Sequence, residues 1–252
     1  MLKNIIHALA TAARRLFGDW RALSVFFLLY LALLLLLYWF FTTGVATIMQ
    51  VLLTFIVAVI APLLFFVIQA LSVSYTTGET RIGELLRHAL KSSWKLLIVS
   101  LPLVLLAWLI AYLLNQIFYS ETSLSKWAET SVGAFRVLLF YIALPLVAIH
   151  LWIAANREGL GAALKGVWRN LARALSLRSL LTYLTGFVLF AVIPYFLFFT
   201  RTSSKNAWLE MSLLGARLAL GLLIVFFGWV LTVGALAKIS SDETAANAPG
   251  QL

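Results

Sequence analysis

Apolar residues fall into six long runs, Ala22–Phe41, Val45–Ser74, Leu96–Phe118, Val132–Ala155, Leu180–Thr200 and Leu213–Ile239. The stretches between them carry nearly all the charge. A helix of about 20 residues crosses the roughly 30 Å hydrocarbon core of a bilayer, so each run is long enough to span. The second run would rise about 45 Å as a straight helix. It must tilt, bend at Pro62 or project beyond the core. The expected fold class is an all-α polytopic membrane protein with six transmembrane helices.

The stretches ahead of the odd-numbered runs have helical periodicity instead. In Leu160–Arg178, Leu160, Leu164, Val167, Trp168, Leu171 and Leu175 share one face, and Lys165, Arg169 and Arg173 line another. Like charges four residues apart repel along a helix, so such a stripe fits beside something negative. In residues 1–21, Ile5, Ile6, Leu9, Ala13, Leu16, Phe17 and Trp20 oppose His7, Thr11, Arg14 and Arg21. In residues 75–95, Ile82, Leu85, Leu86, Ala89, Leu90 and Trp94 oppose Arg81, Glu84, His88, Lys91 and Lys95, with Thr80 as N-cap. Basic amphipathic helices of this kind lie in a membrane surface. Two or three interfacial helices are therefore expected beside the spans.

The order amphipathic segment, span, short loop, span occurs three times. Trp20-Arg21 and Trp94-Lys95 each precede a span, Ile82-Gly83 and Leu160-Gly161 each open a segment, and Gln50, Arg136 and Arg217 occupy matching places in the even spans. The expectation is one transmembrane domain, 1–239, with direct repeat units 1–75, 76–156 and 157–239, and a disordered tail, 240–252. Direct repeats that cross twice share an axis along the membrane normal.

Composition agrees with this class. The chain has 252 residues, 63% hydrophobic and 11% charged, against roughly 25% charged in soluble domains. With the N-terminus inside, 14 of the 19 Lys and Arg fall on the inner side and 5 on the outer. This bias accounts for the net charge of +10 without a nucleic-acid partner. It places both termini in the cytoplasm and the protein in the plasma (inner) membrane. Gly44-Val45-Ala46 resembles a signal-cleavage site, but the preceding apolar run exceeds the roughly 7–15 residues of a signal core. There is no cysteine, hence no disulfide or thiolate chemistry.

Candidate chemistry is sparse. Arg14, Arg15, Arg87, Lys91, Lys95, Lys165, Arg169 and Arg173 are candidates for anionic headgroups, although topology alone explains basic inner segments. Gln50, Arg136 and Arg217 would either ring a central cavity or, for the two arginines, snorkel to the outer headgroups. His150 lies within a span and is the candidate ligand for haem or a pigment, but no other span supplies a second histidine. Gln69, Asn115 and Gln116 suit interhelical hydrogen bonds, and Gly221, Gly228 and Ala235, with Gly215 nearby, suit close helix packing. Thr202-Ser203-Ser204-Lys205 holds a serine and a lysine, as polar loops often do. None of the nine acidic residues lies mid-span, and no metal-ligand or hydrolase motif occurs.

The blocks IGELLRHALKSSWKLL and LGAALKGVWRNLARAL, each ahead of a span, resemble those of bacterial six-span families with interfacial helices. One such family is the membrane domain attached to some glycerophosphodiester phosphodiesterases. The resemblance implies the same layout. The hydrolase has no counterpart in these residues, and no activity or site residue is carried over. The function expected is a non-catalytic membrane subunit or scaffold that binds lipids and partner membrane proteins. The alternatives are a transporter or permease for an apolar or amphipathic solute, and a cofactor- or pigment-binding protein.

Overall fold

A computed structural model describes residues 2–43, 47–76, 82–120, 126–200 and 206–246. Among these residues every regular element is a helix: α1 (Leu2–Gly18), α2 (Trp20–Thr42), α3 (Ile48–Ser74), α4 (Ile82–Ser120), α5 (Lys126–Val137), α6 (Leu144–Arg157), α7 (Leu160–Lys165), α8 (Val167–Ala174), α9 (Leu177–Phe187), α10 (Ile193–Phe199) and α11 (Ala207–Ala246). A π-helical turn at Leu138–Ala143 joins α5 to α6, and another at Val188–Val192 joins α9 to α10. Six helical stretches are long and apolar enough to cross a membrane. The protein is a multi-pass, all-α membrane protein.

Local chemistry sets the boundaries. Asp19 separates α1 from α2 by accepting from the backbone N–H groups of Arg21 (3.0 Å) and Ala22 (3.4 Å). Thr47 and Ser176 cap α3 and α9 in the same way. Gly159, at φ 87°, turns the chain out of α6 with a backbone that favours glycine.

Three expectations are corrected. Residues 82–95 are not a separate interfacial helix but the first turns of α4, because nothing from Glu84 to Lys95 interrupts the helix. Leu160–Arg178 is not one rod: it breaks at Gly166 and again before Leu177, where Ser176 starts a new helix. The tail is not irregular from Ser240. The sixth span continues to Ala246, with Lys238 paired to Asp242 one turn on at 3.1 Å. Between the third and fourth spans, helix runs to Ser120 and again from Lys126.

The three even spans form the centre. α3 packs against α6 and α11, and α6 packs against α11. Each odd span lies in a groove between two of them. α2 lies on α3 and meets α11 where Tyr30 stacks on Phe226 at 4.2 Å. α4 lies on α3 and α6, while α9 and α10 lie on α11 with α9 also touching α6.

Burial is lopsided along the membrane normal. Residues 67–76 of the second span, 149–156 of the fourth and 232–237 of the sixth are buried without a break. Towards the other side, no described side chain in 126–145 or 206–220 is buried, and only Leu53 is buried in 47–66. The bundle is thus tight on the side that holds the amphipathic segments, called the basic side below, and open on the other.

Two details hold the fifth span in place. Gly186 lets α9 approach α11 so closely that a Cβ there would lie 2.0 Å from Thr232 Oγ1. A Cβ on Gly228 would lie 3.1 Å from the Phe190 backbone, and one on Gly221 would meet the Phe198 ring, so two of the expected small residues serve packing while Gly215 faces open space. Pro145 cannot donate to the carbonyl four residues earlier, on Tyr141. The buried Tyr183 phenol donates to that carbonyl instead, at 2.8 Å. Tyr183→Phe is therefore expected to lower stability in detergent by about 1 kcal/mol. An unchanged thermal midpoint would show that the carbonyl finds another donor.

Candidate functional site

The amphipathic segments present three faces rather than two. α1 buries Ile5, Ala8, Ala12 and Leu16 and packs chiefly on α11, yet leaves Ile6 and Phe17 exposed, as is Trp20 at the start of α2. The start of α4 buries Leu85, Ala89, Ser92 and Ser93, yet leaves Leu90 and Trp94 exposed. α7 and α8 pack on α6 and bury Ala163, Asn170 and Ala174, yet leave Leu164, Trp168 and Leu175 exposed. The face that docks on protein is mostly small residues. In the third segment the large apolar face that periodicity singles out is left largely bare, whereas in the first two it is divided, with Ile5, Leu16, Leu85 and Ala89 docked and Ile6, Phe17, Leu90 and Trp94 exposed, as suits contact with lipid at the headgroup boundary. Trp20, Trp94 and Trp168 are 70%, 50% and 82% exposed. They stand at equal intervals along the sequence, and each is followed by a cation, Arg21, Lys95 or Arg169. The third of these pairs escapes a reading by segment boundaries, because a second break separates Trp168 from its span.

The candidate headgroup cations are not equivalent. Arg14, Arg87, Lys91 and Lys165 are exposed and Lys95 is half-buried. Arg15 donates to the Thr76 carbonyl at the end of α3. Arg169 is engaged by Glu158 at 2.8 Å. Arg173 turns partly inward, and its charge acts on His150.

Where the even spans converge, a polar cluster closes the basic side. Asn156 Nδ2 donates to Ser74 Oγ at 2.9 Å, and the Arg157 guanidinium donates to the Ala237 carbonyl at 2.8 Å. The Tyr75 ring lies against Gly234, where no side chain would fit. Deeper in the bundle, Trp229 Nε1 donates to Gln69 Oε1 (2.8 Å) and Trp152 Nε1 to Ser100 Oγ (2.7 Å). Burial pushes the Tyr75 phenol well above its usual range, with the Arg15 charge pulling the other way. Among the described residues, Tyr75 Oη, His150 Nε2, Asn156 Oδ1 and Arg157 Nε are buried without a hydrogen-bond partner. Each such atom costs about 1–3 kcal/mol unless a partner meets it. Four of them at the buried end of the central spans mark this as the chemically distinctive part of the molecule. Comparison with protein-family models, with curated proteins and with solved structures finds no match to this chain. Its site is therefore read from geometry alone.

The three residues expected to ring a cavity are not brought to one place. Arg136 donates to Asn115 Oδ1 of α4 at 2.9 Å. Arg217 donates to the carbonyls of Leu197 and Thr200, closing the open end of α10 as cations at helix C-termini do. It lines a groove of about 360 Å³ with Ile193, Phe196, Leu197 and Thr200, in which neither Gln50 nor Arg136 takes part. Gln50 leaves its Oε1 unpartnered near the open side. Gln69 and Asn115 bond between helices as expected, whereas Gln116 bonds within its own helix to Tyr112. His150 is buried in α6, and no group of three potential metal ligands occurs among the described residues. Gly44–Ala46, Thr80, Arg81, Glu121 and Thr202–Lys205 lie outside the described residues.

Proposed function

We propose that the chain is a non-catalytic membrane scaffold. On this reading its basic side rests on anionic lipid, and its open side receives partner spans. The observation that carries it is the bare half of the sixth span. Residues 206–220 are unburied all round, with Trp208 80% exposed, although the same helix is packed to full burial further on. Membrane helices associate through close contact rather than hydrophobicity, so a half of a central helix that has no buried residue, although Arg217 ties it to α10, is a ready surface for another chain. The 14-to-5 distribution of cations supports a cytoplasmic basic side, with both termini there. A photoreactive residue at Met211, in native membranes, should give one crosslinked species that also co-purifies at constant stoichiometry in mild detergent. Crosslinks to lipid alone, with recovery as a lone monomer, would remove the partner from this reading.

One observation favours a permease as the second reading. The polar cluster of Ser74, Tyr75, Asn156 and Arg157 closes one end of the central spans while their other ends stay open. That is the form of a gated path with one side shut. Uptake of an amphipathic solute into vesicles, altered by Asn156→Leu, would favour it over the scaffold. A haem or pigment at His150 has only the unpartnered imidazole in support. Colourless purified protein would remove it.

A further inference from the structure

The polar cluster on the basic side is held from outside the spans as well as from within. Its share of the second span is one turn, residues 74–76, gripped by several helices. Ser74 Oγ accepts from Asn156 of α6 at 2.9 Å. Phe26 of α2 sets its ring edge-on to Tyr75 at 5.6 Å. Tyr75 and Thr76 lie against Gly234 of α11, where an added Cβ would meet Tyr75 Oη and, at 3.0 Å, Thr76 Cγ2. The remaining grip comes from α1, whose Arg15 donates to the Thr76 carbonyl. That carbonyl stands just past the last turn of α3, where intrahelical partners run out and a cation is favoured.

α1 can make this contact and also leave it. Its second half buries Ala12 and Leu16 in the main core, and Phe17 meets Phe227 of α11 at 5.7 Å. Its first half buries Ala8 in a separate small cluster with Ala235 and Ile239 of α11. The junction with α2 is a break at Asp19, and a Cβ on Gly18 beside it would meet nothing within 4 Å. A helix joined in this way can shift without unwinding the span that follows it. The start of α4 cannot, because it is continuous with its span. Arg15 is itself exposed, although the carbonyl it holds belongs to the buried Thr76. The fastening is open to the surroundings while the turn it fastens is not.

We infer that α1 is a strap over the basic end of the central spans, fastened by Arg15 to residues 74–76, and that its release loosens the polar cluster. A carbonyl left without a donor in a buried turn is costly, so the turn moves towards water and takes Ser74 and Tyr75 with it. Local openings of this kind lie below the free energy of global unfolding. Such a strap works alike in a scaffold and in a permease, so it depends on neither reading.

Because the chain has no cysteine, one introduced thiol reports the opening locally. The test uses the full chain in nanodiscs of dioleoyl phosphatidylcholine and phosphatidylglycerol, and reads the rate of maleimide labelling at Val73→Cys, a fully buried position just ahead of the turn. Arg15→Gln should raise that rate at least tenfold. Arg15→Lys should raise it less, since an ammonium keeps the charge but not the fork of donors. Labelling at Leu53→Cys, buried in the far half of the same helix, should change less than twofold with Arg15→Gln. Lys3→Gln, on an exposed part of α1, should change labelling at Val73→Cys less than twofold. An unchanged rate at Val73→Cys with Arg15→Gln overturns the strap, and so does equal acceleration at both thiols, which would mean general loosening. If Arg15→Gln is not recovered folded, hydrogen exchange on the unsubstituted protein decides. The amides of 12–18 and 74–76 should then open within tenfold of each other, and a wider gap overturns the strap.

Discussion

Gly186→Leu is expected to abolish recovery of folded protein, and Gly186→Ala to destabilise it by about 1–3 kcal/mol, the usual cost of overpacking a tight interior. A Cβ at this position would lie 2.0 Å from Thr232 Oγ1, 2.5 Å from its Cγ2 and 2.7 Å from its Cβ. Thr232 cannot retreat easily, because it is fully buried and its hydroxyl donates to the Gly228 carbonyl at 2.6 Å. The fifth span would have to move away from the sixth, taking the Tyr183 bond with it. The contact is specific enough for a double-mutant cycle. Thr232→Gly should restore most of the stability lost in Gly186→Ala. Thr232→Ala should restore less, since its own Cβ stays in the way. Thermal midpoints followed by size-exclusion chromatography in detergent give all four values. An additive cycle would mean that α9 and α11 do not meet at this point.

The second large effect concerns which face of the third amphipathic segment docks. Ala174→Leu is expected to cost about 1–3 kcal/mol, because Ala174 is fully buried in the α8 surface that packs on α6. Leu164→Ala, on the exposed apolar face, is expected to cost less than about 0.5 kcal/mol in detergent. A reading from periodicity alone gives the opposite order, since it makes the leucine stripe the important face. Should Leu164→Ala prove the more damaging of the two in detergent, the segment would be docked by its large residues and the three-faced description would fail.

That reversal shows where sequence reasoning succeeds and where it stops. The six spans are legible because about 20 consecutive apolar residues have few alternatives to crossing a bilayer. The amphipathic segments are legible as segments, because a 3.6-residue period shows through whatever the helix touches. Their docking is not legible. A periodic apolar stripe has the same appearance whether it meets lipid or protein, and Ala163, Asn170 and Ala174 look like filler until α6 is placed against them. Boundaries shift for local reasons. Nothing between Glu84 and Lys95 stops a helix, so α4 runs through, whereas Gly166 and Ser176 both interrupt. The central polar cluster had only a faint signal, Asn156-Arg157 closing one span and Ser74-Tyr75 another. Their convergence depends on the cyclic order of the even spans, which no local pattern encodes. Gln50, Arg136 and Arg217 occupy matching sequence positions, yet the partners of the two arginines are different, Asn115 for Arg136 and the carbonyls of Leu197 and Thr200 for Arg217, and repetition along the chain does not encode such partners.

The bond from Tyr183 to the Tyr141 carbonyl joins the two spans that carry π-helical turns ahead of proline. Each of those turns is a place where a rod is easily flexed. The phenol grips the carbonyl that the first turn leaves free, from a position five residues ahead of the second turn, so one hydrogen bond fastens the fourth span to the fifth close to where both depart from a regular helix. A rod interrupted in this way is expected to be held straight by its neighbour rather than by its own backbone.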